Sequence, residues 1–427
     1  MADNVKILGM PAESGRWVLV IVGMIIQLCL GAIYAYGVIR VPLTAYFKSV
    51  GLSPSAMDMT WPFIVFLLLF ALTMPLAGPY IQKMGPKKVC TVGGALVGIG
   101  WIAASFSSSP IMLAILYGII GGVGVGIAYG CPIAVSAQWF PDKRGLAVGL
   151  TVLGFGFSAA LIAPISDLLV ANYGGVMSAL KIFGIAFLII TVVLSQLLMV
   201  PPVGWCPTGW KAPAPKPGAA AKVDFMRSEM TKNKTFYGLW LCYTIGSLAG
   251  LTAIGIAKPV GLEVAANAGM AVAAAGILMT SLTFPFALCN GLGRPIFGTL
   301  TDKLTPRNAA MITYVLIIAA SLMLYTNYAS VAMYTIAFAL LWGCLGGWLA
   351  IAPTATASFF GMKDYAKNYG MVFTAYGIGA AIGGIVSAQA KDLMGGYQPF
   401  FLIVAALAVL GIVVSFLLMK PPVKTGA

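Results

Sequence analysis

Apolar runs of about 20 residues, separated by short breaks of Pro, Gly and charged residues, make up almost all of this 427-residue chain. A helix of that length crosses a bilayer core of ~30 Å, and in lipid only a helix or a closed barrel satisfies its own backbone. Twelve runs can be read, at approximately 17–39, 59–80, 88–107, 110–134, 145–170, 178–200, 235–257, 271–300, 309–327, 329–353, 367–393 and 397–419. The pattern predicts an all-α membrane protein of twelve transmembrane helices. The first run, Trp17 to Ile39, is too long for a signal-peptide core and lacks a small-residue cleavage site, so it counts as helix 1. An even number of crossings puts both termini on one side.

One long polar stretch interrupts the pattern. From Pro201 to Lys234 lie six Pro, with the tract Lys211-Ala-Pro-Ala-Pro-Lys-Pro, which reads as a semi-rigid linker. It predicts an N-terminal six-helix bundle over 1–200, a cytoplasmic linker over 201–234 and a C-terminal six-helix bundle over 235–427.

Composition agrees with a lipid environment and narrows the chemistry. Only 8% of residues are charged and 60% are apolar, where soluble domains carry roughly a quarter charged. The net charge of +14 suggests nucleic acid at first sight, but the basic residues lie between apolar runs and gather on no polar, aromatic-rich face. Nineteen of the 25 Lys and Arg fall on the side of the termini, five (Arg40, Lys48, Lys181, Lys258, Lys391) fall on the other, and Arg294 falls within a run. That bias predicts cytoplasmic N- and C-termini in a multi-pass protein of the cell's inner (cytoplasmic) membrane. With no His, and six of seven Cys inside apolar runs, no metal site, thiolate-histidine dyad or cofactor is expected.

The two halves repeat. Gly78-Pro-Tyr-Ile-Gln82-Lys83 follows helix 2, and Gly298-Thr-Leu-Thr-Asp302-Lys303 follows helix 8, 220 residues later. At an offset of 221, Pro132 matches Pro353, Gly149 matches Gly370, Phe155 matches Tyr376 and Gly156 matches Gly377. Repeated halves are expected of a transporter that rocks about a central site.

The Gly-x-x-x-(Asp)-Lys signature resembles the loop motif of the major facilitator superfamily, which implies two pseudo-symmetric six-helix halves. It also implies a conformational latch at Gln82, Lys83, Asp302 and Lys303. Gln82 stands where that family has Asp, and Thr305 stands where it has a later Gly. Three further stretches, Trp139-Phe-Pro-Asp-Lys-Arg-Gly145, Asn290-Gly-Leu-Gly-Arg294-Pro-Ile-Phe-Gly298 and Lys367-Asn-Tyr-Gly370, are similar to the oxalate:formate antiporter family, relatives of the monocarboxylate transporters.

Arg294 sits some six residues, or ~9 Å, inside the eighth run. A charge there costs at least ~2.5 kcal/mol at mid-span and marks a functional site by default, although snorkelling of the long side chain to the interface is the competing reading. No acid falls clearly at mid-membrane to neutralise it, and Asp167 is the one acidic candidate more than a residue inside a span. A guanidinium offers paired donors that match a carboxylate, so the counter-charge can be the cargo. The resemblance implies the same, since the matching Arg binds substrate in that family. Proton-coupled relatives have an Asp four residues earlier, where this chain has Asn290. Oxalate-carrying relatives have a Lys where this chain has Tyr376. One cation in place of two favours a cargo with one carboxylate.

Tyr34, Tyr36, Tyr129, Phe155, Trp348 and Tyr376 fall near mid-span and are candidate cavity residues beside Arg294 and Asn290; helix packing is the alternative for each. The repeat predicts that Phe155 and Tyr376 face each other. The glycine run from Gly118 to Gly126 lacks the strand and the Gly-Lys-Ser/Thr of a phosphate loop and reads as a helix-packing surface.

These features predict a monomeric secondary transporter, not an enzyme, that moves a small monocarboxylate of the lactate, pyruvate, formate or acetate type by alternating access. Protons or a counter-anion are the expected coupling partners, by symport or antiport. Within the class the alternative is oxalate:formate or other dicarboxylate exchange; outside it, an anion channel or a non-transporting membrane sensor.

Overall fold

The structure is a computed structural model that describes residues 5–210 and 224–422. The Lys211 to Pro217 tract therefore lies outside the described residues. Twelve helical spans run Ala12–Ser49, Trp61–Met84, Pro86–Ala104, Pro110–Trp139, Arg144–Asn172, Gly175–Ser195, Lys234–Asn267, Val272–Leu304, Pro306–Thr326, Val331–Phe360, Lys367–Met394 and Gln398–Leu418, numbered 1 to 12 below. Each matches one expected run, but several extend further. Span 1 begins five residues before Trp17, and span 7 continues ten residues past Ala257.

Two spans depart locally from regular α-helix. Span 1 tightens into a 3-10 turn over Gly31–Ala35. Span 4 contains a π-helical stretch over Ala114–Gly121, where its glycine run lies between spans 2 and 3. A Cβ at Gly122 would collide with the Phe66 carbonyl, and one at Gly124 would lie 2.7 Å from the Val97 nitrogen. These positions hold backbones in contact, as the packing reading requires.

Contacts between the halves obey the repeat. Span 2 packs on span 11 and span 5 on span 8, an arrangement that exchanging the halves reproduces, while span 1 meets span 7 near the axis. The offset of 220 also pairs Pro75 with Pro295, Phe70 with Asn290 and Met74 with Arg294. The polar pair of span 8 thus has an apolar counterpart in span 2. Gly85 and Thr305 end the two related spans with φ of 83° and 123°, so a threonine occupies a left-handed turn that favours glycine.

Candidate functional site

Spans 8 and 10 approach along a seam of small residues. A Cβ at Gly293 would collide with the Gly343 carbonyl, and one at Gly346 with the Asn290 carbonyl. Here the Asn290 Nδ2 donates to the Trp342 carbonyl at 2.9 Å, while its Oδ1 is buried without a hydrogen-bond partner. One turn on, Arg294 is 6% exposed, so its head does not snorkel. Its Nη1 donates to the Val152 carbonyl in span 5 at 2.6 Å, across the boundary between the halves. Its Nε and Nη2, the side-on edge of the guanidinium, are buried without a hydrogen-bond partner, and the Tyr129 hydroxyl interacts with the same guanidinium. Among the described residues Arg294 enters no ion pair.

Aromatic rings surround this pair. The Tyr34 hydroxyl shares a 2.7 Å hydrogen bond with that of Tyr376. The Tyr34 ring stands edge-on to Phe155 at 5.0 Å, and Tyr129 does the same at 5.3 Å. Tyr34, Tyr129, Tyr243 and Tyr369 all lie within the electrostatic reach of Arg294. Phe70 contacts Tyr129, Phe155, Phe373 and Tyr376 from span 2. The structure thus gathers Arg294, Asn290, Tyr34, Tyr129, Phe155 and Tyr376 at the inter-half boundary.

Other expectations need correction. Phe155 and Tyr376 do not meet directly; Tyr34 and Phe70 stand between them. Tyr36 turns away, donates to the Met59 carbonyl at 2.6 Å and stacks between Phe63 and Tyr117, because two residues along a helix point to nearly opposite faces. Trp348 lies behind Tyr243, stacked on it at 5.8 Å, in an outer layer of the site. Gln82, Lys83, Asp302 and Lys303 are exposed and form no ion pair or side-chain hydrogen bond among the described residues, so no latch is engaged in this conformation.

Arg294 is also not alone in being a buried cation. Arg16, Arg40 and Lys258 are 5%, 4% and 6% exposed. Arg16 donates to both Asp142 oxygens, at 2.7 and 3.0 Å. Burial opposes the charge on Asp142, but those hydrogen bonds hold its carboxyl below the usual carboxylate range. Lys258 pairs with Asp167 at 3.0 Å, and the Thr280 hydroxyl donates to the same carboxylate at 2.6 Å. This cluster clasps span 5 to spans 7 and 8 at the end of the bundle away from the described termini. Nearby, Asp392 accepts from the Ala56 and Met57 backbone nitrogens at 2.8 and 3.0 Å and ties span 11 to the loop before span 2. The halves are therefore fastened at that end.

Sequence reading missed Phe70, Tyr243, Tyr369 and Phe373. The 220-residue offset was the available signal for Phe70, because it places that ring opposite Asn290.

Known proteins agree with this architecture. The family model for the Major Facilitator Superfamily matches residues 23–258 and again 239–427. The oxalate:formate antiporter of Oxalobacter formigenes is 29% identical over 338 residues, covering 78% of this chain and 75% of its own length. Apicoplast pyruvate carrier 1 of Toxoplasma gondii is 22% identical over 441 residues, covering 82% and 79%. A solved bacterial homologue of the human lysosomal transporter Spinster superposes with a TM-score of 0.69 at 17% identity, over 96% of this chain and 97% of that one. Twelve spans in two related halves, closed around a buried arginine and matched over both halves by one family, make this chain a multi-pass membrane protein that belongs to the major facilitator superfamily.

Proposed function

We propose that this protein carries a small monocarboxylate across the cytoplasmic membrane by alternating access, with Arg294 as the carboxylate-binding residue. The carrying observation is a guanidinium 6% exposed, between the halves, with two unpartnered donors on one edge and no ion pair among the described residues. A carboxylate satisfies both donors and the charge at once. The similarity to an oxalate:formate antiporter and to a pyruvate carrier supports cargo of this class. Tyr34, Tyr129 and Tyr376 offer hydroxyls to it, and Phe155 forms an apolar wall.

The bundle boundaries are 1–200 and 235–427, joined by a cytoplasmic linker over 201–234. The termini lie in the cytoplasm, following the distribution of Lys and Arg, and the protein acts as a monomer. Gln82, Lys83, Asp302 and Lys303 meet only in the conformation closed toward the cytoplasm.

Exchange of oxalate for formate is the second reading, favoured by the 29% identity to such an antiporter. Tyr376 answers against it. Its hydroxyl is bonded to that of Tyr34, and it supplies no positive charge for a second carboxylate. Uptake of labelled lactate, acetate and formate into proteoliposomes, with oxalate as competitor, separates the readings. Monocarboxylate uptake that oxalate barely inhibits supports the first, and oxalate exchange with weak monocarboxylate uptake overturns it.

A further inference from the structure

The Asn290 side chain is fully buried and has one orientation that its surroundings accept. Its Nδ2 donates to the Trp342 carbonyl at 2.9 Å, which turns Oδ1 away from span 10. That oxygen is left without a donor. A buried acceptor without a partner carries a desolvation cost, and such atoms in a binding site serve a ligand group. Its surroundings show which group. A Cβ built at Gly156 would lie 2.7 Å from the Asn290 Oδ1 and 3.1 Å from the Arg294 Nη2. Both atoms therefore front the same point on span 5 and stand within about 6 Å of each other. One acceptor thus borders the two-donor edge formed by Nε and Nη2 of Arg294.

We infer that Asn290 selects monocarboxylates carrying a hydroxyl on the carbon next to the carboxyl, that is, 2-hydroxy acids; this rests on the reading of Arg294 as the carboxylate-binding residue. The carboxylate takes the Nε and Nη2 donors, and the neighbouring O–H donates to Asn290 Oδ1. A 2-oxo acid presents a carbonyl oxygen to that oxygen, two acceptors facing each other with no proton between them. An unsubstituted acid leaves Oδ1 unpaired. A 2-ammonium group would bring a second positive charge against Arg294, which no acidic side chain offsets among the described residues. Trp342 acts as a positioning residue through its carbonyl.

The test is a competition series of nearly equal size: 2-hydroxypropionate, 2-oxopropionate and propionate against labelled 2-hydroxypropionate uptake in proteoliposomes of the full chain. The wild type is expected to favour the hydroxy acid by roughly tenfold or more over either analogue. In Asn290→Leu, which lacks the acceptor, the three are expected to fall within about threefold of one another because the hydroxy acid loses affinity. Equal inhibition by all three in the wild type overturns the inference with no variant needed. So does an unchanged preference in Asn290→Leu shown to be folded by its melting temperature. Failure of the carboxylate reading looks different: labelled 2-hydroxypropionate is not taken up at all, or its uptake survives Arg294→Ala.

Discussion

Replacing Asp167 with Asn should loosen the end of the bundle away from the termini. Asp167 joins span 5 to Lys258 of span 7 at 3.0 Å and to Thr280 of span 8 at 2.6 Å, so its charge holds one half to the other only while that end is closed. At an effective dielectric of 20, unit charges at that separation attract by about 5 kcal/mol. The Asp167 side chain is 34% exposed, and solvent screening reduces the useful part to about 2 kcal/mol. That shifts the balance between closed and open ends by roughly 30-fold. Asparagine keeps the shape and can still accept from Thr280, so the loss isolates the charge. Hydrogen exchange in proteoliposomes reads the change directly. Amides of residues 160–172 and 255–267 should exchange faster in Asp167→Asn, and the exchanged pair Asp167→Lys with Lys258→Asp should restore much of the protection. Unchanged exchange in the single variant, or a swap no better protected than the single variant, would refute the idea that this pair fastens the halves.

Other consequences are equally open to measurement. Gly156→Ala places a methyl 2.7 Å from Asn290 Oδ1, and overpacking of this kind costs ~1–3 kcal/mol, so the melting temperature should fall and KM for carboxylate uptake should rise by up to roughly 150-fold. Thr305→Gly relieves a φ of 123° worth ~1–3 kcal/mol and gives up a 3.3 Å cap to the Asn308 nitrogen worth a few tenths; a melting temperature about 2 °C higher is expected in a thermal unfolding assay. Asp142→Asn removes the carboxylate charge and one of its two hydrogen bonds from Arg16, and should cost about 2 kcal/mol at neutral pH. Because the folded Asp142 carboxyl is held below its ordinary range, its contribution is complete above the unfolded value and is lost as pH falls through the folded one. The wild-type and variant melting temperatures should therefore converge only in strongly acidic buffer.

Much of this fold was legible from sequence because hydrocarbon enforces it: an apolar run long enough to cross has few alternatives to a helix. The ends were less legible. Lys258 looked like the close of run 7, yet the helix continues to Asn267 because Lys258 finds Asp167 on another span, a partner separated by 91 residues. Arg294 stood out because an isolated charge in an apolar run is rare and costly. Aromatic residues carry no such signal. Tyr34 and Tyr36 have nearly the same depth, but roughly 200–240° of rotation across the junction of the 3-10 turn and the α-helix puts one at the site and the other against Met59. In span 7, where 89% of the most apolar stretch is buried, no exposed face reveals which side Tyr243 occupies. Depth along the chain was readable, and direction around each helix was set by packing.

The role of Arg294 can be measured without transport. Trp342 and Trp348 both lie in the layer around Asn290 and Tyr243, so their fluorescence reports on occupancy of the site. Titration of the purified protein with 2-hydroxypropionate should give a saturable change in tryptophan emission in the wild type and none in Arg294→Ala of matching melting temperature. An equal, saturable response in Arg294→Ala would contradict the assignment of this arginine as the carboxylate-binding residue.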